Sequence, residues 1–186
     1  MPHGSGTSGA PGGGAGPVRA VRLFARLVEG LTRLFATLGI GALLVAIAIV
    51  VVDVVWRRIG SQSLIGAVDL TQLCVMAAAF LSIPHAFTRG AHVVVDLFSA
   101  RLPPGMTRLL DAAGALLSIA LLALLLHLSW GRAMEQLSYG DVSQDLAIPM
   151  IWYWAFALTG LALSVLAALS VFLQRLAGLR PGQAGR

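Results

Sequence analysis

The 186-residue sequence predicts an all-α membrane protein: four transmembrane helices, an N-terminal basic amphipathic interfacial helix, and both termini in the cytoplasm. Composition is the first reason. Hydrophobic residues make up 58% of the chain and charged residues 11%, where a soluble domain has about 45–50% and about 25%. The second reason is four windows free of Asp, Glu and Arg: Leu34–Val52, Leu70–Phe87, Ala112–Gly131 and Leu146–Leu173. A spanning helix needs roughly 17–25 predominantly apolar residues. The third is the distribution of the 13 basic residues, all arginine. Arg19, Arg22, Arg26, Arg33, Arg89, Arg101, Arg108, Arg175, Arg180 and Arg186 share one side, and Arg57, Arg58 and Arg132 fall on the other. An arginine excess marks the cytoplasmic side, which places both termini there.

Helices are expected because hydrocarbon offers no hydrogen-bond partner, so each backbone N–H must be satisfied within its own segment. A barrel would show period-two alternation, and tracts such as LLSIALLALLL show none. The net charge of +5 reports topology and lipid contact, with no nucleic acid implied, because the arginines flank spans instead of forming an aromatic-interleaved face. The single cysteine, Cys74, can form no internal disulfide.

Residues 1–17 are rich in Gly, Pro and Ser and are expected to form a disordered tail without the pattern of a secretory signal. Over residues 18–33, Arg19, Arg22, Arg26, Glu29 and Arg33 share an arc of roughly 80° on a helical wheel. Val21, Phe24, Leu27, Val28, Leu31 and Phe35 lie opposite. Such a helix is expected in the headgroup layer, its basic stripe on anionic lipid.

Spans one and two are joined by RRIGSQS, short enough for an antiparallel hairpin on the outer side. Asp53 and Arg57, four apart, are expected to form an ion pair at the end of the first helix. Asp69, one turn inside the second span, is expected to meet Arg57 or Arg58, or a partner subunit. The second span ends in FLSIPHAFTRGAHVVVD. There Pro84 can kink the helix, Arg89 suits its negative end and Gly90 a left-handed cap. His92 and Asp96 could meet across one turn, but two ligands from one turn do not complete a metal site. Pro103 and Pro104 open the third helix. The third connection, RAMEQLSYGDVSQD, is acidic, with Glu135, Asp141 and Asp145 against Arg132. It leads past Pro149 to Trp152, Tyr153 and Trp154, expected in an interfacial aromatic belt. Residues 177–186 are expected to form a cytoplasmic C-terminal tail.

No cofactor is implied. Haem held by two imidazoles needs both at one depth, whereas His85 and His127 fall toward opposite ends of their spans. A small cation exporter needs a carboxylate in mid-membrane, and ATLGIGALLVAIAIVV has none. No phosphate-binding loop, zinc-protease pair or nucleophile–base constellation is present, so the pattern is not that of an enzyme.

From about Leu34 to Leu176 the chain resembles the small permease (DctQ-type) subunit of tripartite ATP-independent periplasmic (TRAP) transporters. The matching pieces are WRRIG, AFLSIPHAFTRGAHVVVD with its Arg-Gly-x-His-x-x-x-Asp pattern (Arg89, Gly90, His92, Asp96), RLPPGMTRLLD and SQDLAIPMIWYW with Pro149. The family commonly has a Trp and one or two glutamates at the start of its second helix, where this chain has LIGAVDL, and an asparagine is frequent where Asp53 stands. The resemblance implies a four-span domain over residues 34–176 acting as an accessory scaffold for a large permease. In such systems a periplasmic solute-binding protein delivers an organic acid, of the dicarboxylate or sugar-acid class, and sodium drives its import across the bacterial inner membrane. Small residues (Gly39, Gly41, Gly114, Gly160) are expected to pack on the large permease. Arg57, Arg58, Arg132 and Asp141 are expected near the docked binding protein. The rival reading is an autonomous four-span transporter or channel.

Overall fold

The computed structural model of the chain describes residues 15–60, 62–88 and 104–176, with side chains from residue 19 in the first segment and at 110 and from 112 in the last. Four helices account for most of them: α1 (Ala15–Gly60), α2 (Ala67–Thr88), α3 (Pro104–Tyr139) and α4 (Ile151–Leu176). All four are long and apolar enough to cross a membrane. The only extended pairing among the described residues is an isolated bridge between Val142 and Pro149. The chain is a multi-pass membrane protein, with four such helices among its described residues. Arg89, Gly90, His92 and Asp96 lie outside the described residues, as do residues 1–14 of the tail expected at 1–17 and the tail expected at 177–186; residues 15–17, expected to be disordered, belong to the first turn of α1.

α1 packs on α2, α2 on α4, and α4 also touches α1, so these three form a closed group. Among the described helices the backbone of α3 runs close to α4 alone. Side chains tie it in further: Leu122 of α3 joins Leu161 and Ala168 of α4, with Phe80 and Phe87 of α2 packed against them.

Two glycines set the closest approaches. A Cβ at Gly39 of α1 would lie 2.9 Å from Ser82 Oγ and 3.1 Å from the Ala78 carbonyl of α2. A Cβ at Gly160 of α4 would fall on the Phe80 carbonyl of α2. That carbonyl is free to face α4 because its helical donor would be the N–H of residue 84, which is proline. Pro84 is fully buried one turn before the end of α2, so its effect is to expose an acceptor to a neighbouring Cα–H. Gly39 and Gly160 therefore pack within the chain. A methyl group added at Gly41 or Gly114 would meet no atom within 4 Å, so both positions stay open.

Helix limits differ from the sequence windows. The amphipathic segment 18–33 and the first span are one uninterrupted helix of 46 residues, roughly 69 Å at about 1.5 Å per residue. Nothing between Val18 and Gly60 breaks it: its glycines are isolated and its only proline, Pro17, sits in the first turn, where no intrahelical bond is lost. Its apolar half divides into two stripes. Ala25, Val28 and Thr32 are buried, whereas Leu23, Leu27, Leu31, Leu34 and Leu38 are exposed. The exposed Arg19, Arg22, Arg26 and Arg33 occupy the remaining side. α3 continues two turns past the apolar window to Tyr139, and α4 starts at Ile151 and not at Leu146.

Candidate functional site

The α1–α2 and α3–α4 connections meet at one end of the bundle, organised by Asp53 and Asp69. Both carboxylates are buried. Asp53, on the last turns of α1, takes Arg57 Nη2 at 2.7 Å on Oδ2, and Ser63 Oγ at 2.9 Å and the Leu64 N–H at 2.7 Å on Oδ1. Arg57 also donates to Ser63 Oγ at 3.0 Å. The i,i+4 pair expected from the sequence is thus present, and it is part of a clamp on the connection to α2. An exposed ion pair by itself contributes little. Here the carboxylate also satisfies a backbone donor that the loop leaves open.

Asp69 is not held by Arg57 or Arg58. Its Oδ2 accepts from Ser143 Oγ at 2.6 Å, the Asp145 N–H at 3.0 Å and the Leu146 N–H at 2.8 Å. It lies in the first turn of α2, where a negative charge is also favoured by the helix dipole. Ser143 passes the network on, accepting from the Ile148 N–H at 2.9 Å. The Tyr153 hydroxyl of α4 donates to the Asp69 carbonyl at 3.0 Å. One aspartate therefore ties the start of α2 to the α3–α4 loop and, through Tyr153, to the first turn of α4.

The loop itself is closed by Ser143 N–H to the Ile148 carbonyl at 2.9 Å and Met150 N–H to the Asp141 carbonyl at 3.0 Å. Ala147 sits in the left-handed region at φ 52°, a conformation costing an alanine about 1–2 kcal/mol, which the bonds on either side hold in place. Gly66, at φ 82°, abuts the Leu146 side chain so closely that a Cβ there would overlap it. Trp154 Nε1 donates to Gln136 Oε1, joining α4 to the last turns of α3. Of the three aromatics expected in an interfacial belt, only Trp152 points outward, 58% exposed, while Tyr153 is buried and Trp154 turns to α3.

The remaining sequence-derived candidates are more peripheral. Arg132 pairs with Glu135 at 3.1 Å on the surface of α3. Arg58 is exposed and has no ion pair among the described residues. Asp141 is exposed and contributes its backbone to the loop. Pro149 forms the bridge opposite Val142 just before α4. No group of three or more His, Cys, Asp or Glu among the described residues is arranged to hold a metal. The sequence did not single out Ser63, Ser143, Gly66 or the Tyr153 hydroxyl. For Ser63, ten residues after Asp53, a serine in the connection beside an end-of-helix aspartate was an available signal; for Ser143, 74 residues from Asp69, there was none.

Buried carboxylates that bind loops to helix ends, over four apolar spans, define a multi-pass membrane protein whose polar network holds its connections together. Over residues 46–178 the chain matches the family described as tripartite ATP-independent periplasmic transporters, DctQ component, and it belongs to that family as a TRAP small permease. The match begins inside α1, so the whole basic arm of residues 18–33 lies before it. No curated protein and no solved structure matches the chain.

Proposed function

We propose that the chain is the membrane scaffold subunit of a sodium-coupled, binding-protein-dependent importer of an organic acid of the dicarboxylate or sugar-acid class. The observation that carries this reading is the family match over residues 46–178. It is supported by the site: both buried carboxylates sit at the loop end of the bundle and bind loop amides and serines, a structural role. The small permease braces a large permease that moves the substrate, and a periplasmic solute-binding protein docks at the loop end. The termini face the cytoplasm of a bacterial inner membrane. The arginine stripe of α1, next to its exposed leucines, rests on anionic lipid. The chain performs no enzymatic step and holds no cofactor.

Purified subunit in liposomes with an inward sodium gradient should take up no organic acid, and adding the large permease and the binding protein should restore uptake. Sodium-driven uptake by this chain alone would establish the autonomous transporter instead.

Arg57, Arg58, Arg132 and Asp141 form the charged rim on which the binding protein docks. Arg57 is engaged with Asp53, so the test uses Arg58→Glu and Asp141→Lys. Rim charges act mainly on association rate, and each reversal should raise the binding-protein concentration for half-maximal uptake about threefold or more. Unchanged concentration dependence at low salt in both variants rules the rim out as the docking surface.

A further inference from the structure

Two helix faces are left uncovered among the described residues, one on α1 and one on α3. Only 17% of the apolar window of α1 and 11% of that of α3 is buried, against 50% in α4. Their polar content differs. Between Leu34 and Val52 the exposed side chains of α1 are apolar except Thr37, whose hydroxyl donates to the Arg33 carbonyl of its own helix at 3.0 Å. That face is compatible with lipid everywhere.

The other face carries His127. It is exposed and lines an open groove of about 600 Å³ between α3 and α4, with Leu126, Trp130, Leu158, Thr159 and Ala162. Thr159 satisfies its hydroxyl on the Ala155 carbonyl at 2.7 Å. His127 has no such bond to any described residue. Its Cα lies five residues below Arg132, roughly 7–8 Å deeper at about 1.5 Å per residue. Helical side chains lean toward the N-terminus of their helix. For α3 that is the end away from the loops, so the imidazole leans further into the apolar layer. Gln72, the exposed polar residue near the start of α2, leans the opposite way because α2 begins at the loop end.

Lipid tails offer an imidazole nothing to bond, and polar groups within spans face protein or an aqueous cavity. We propose that the α3–α4 groove is the docking face for the large permease subunit, while lipid covers the exposed face of α1. An apolar helix of that subunit lies along Leu126, Leu158 and Ala162, with Trp130 as an aromatic anchor. It presents a hydrogen-bonding side chain at the depth of His127. This inference rests on the reading of the chain as partner of a large permease.

The test is site-specific photocrosslinking in membranes containing the assembled transporter. Thr159→p-benzoylphenylalanine should form an adduct with the large permease, and Leu44→p-benzoylphenylalanine, on the exposed face of α1, should label lipid. A Thr159 probe that labels only lipid, or a Leu44 probe that captures the large subunit in its place, overturns the assignment. In parallel, His127→Leu should reduce recovery of the large permease with the tagged small subunit about tenfold, and His127→Gln should retain most of it. Equal recovery with His127→Leu overturns the hydrogen bond. Failure of the unsubstituted chain to recover any large permease is a distinct result, which removes the scaffold reading itself.

Discussion

Gly160→Ala is expected to lower the melting temperature of the purified subunit by about 2–12 °C, whereas Gly41→Ala and Gly114→Ala leave it unchanged or raise it slightly. The chemical change is the same at all three positions. At Gly160 the new methyl falls on the Phe80 carbonyl, a backbone atom held by α2, so relief requires moving two helices apart. Overpacking of this kind costs about 1–3 kcal/mol, and in a chain of 150–250 residues each kcal/mol shifts the midpoint by about 2–4 °C. At Gly41 and Gly114 the methyl meets nothing within 4 Å, and alanine is the better helix former by up to about 1 kcal/mol. Gly160→Leu should go further, separating α2 from α4 and exposing the Leu161 and Ala168 cluster. Thermal unfolding of the four variants in one detergent is the measurement. A Gly160→Ala midpoint no lower than that of Gly114→Ala would show that the two helices do not approach as closely as described.

The second large effect is expected at Asp69. Asp69→Ala removes the acceptor shared by the Ser143 hydroxyl and the Asp145 and Leu146 amides. Donors left unmade in a buried site are costly, and a loop held by them opens. The α3–α4 loop should then become a protease target, cut about tenfold faster than in the unsubstituted protein, because cleavage follows the population of the open loop. Asp69→Asn keeps one acceptor oxygen in place and should fall between the two. Arg58→Ala should have no effect on cleavage, since Arg58 makes no ion pair with Asp69. Loop proteolysis that rises with Arg58→Ala as much as with Asp69→Ala would restore the arginine pairing expected from the sequence.

Asp69 shows what kind of information was missing from the chain read in isolation. Its acidity, its depth and its place in the first turn of α2 are local properties and were legible. Its partners lie 74, 76 and 77 residues away, and the nearby arginines were the only partners that spacing could suggest. Asp53 is the opposite case. Arg57 is on the same helical face four residues later, so local geometry was sufficient, although Ser63 and the Leu64 amide were not foreseen. The arm of α1 is intermediate. Its basic arc follows from a 3.6-residue period, but the split of its apolar half into a buried and an exposed stripe depends on what lies against it.

The amino-acid sequence by itself determined the four spans, the absence of charge from their interiors, the basic arc and the family. The first three follow from composition or from a period along one helix, and the family from the resemblance of its motifs. Only the tertiary structure decided that Gly160 and Gly39 close the bundle while Gly41 and Gly114 stay open, and that Asp69 secures a distant loop. It also decided that His127 faces outward. The reason lies in the solvent. In water an apolar stripe points a helix toward its core, but in a bilayer lipid and protein are equally apolar. A helix such as α2, apolar on nearly every side, therefore carries little signal of which neighbour each face will meet.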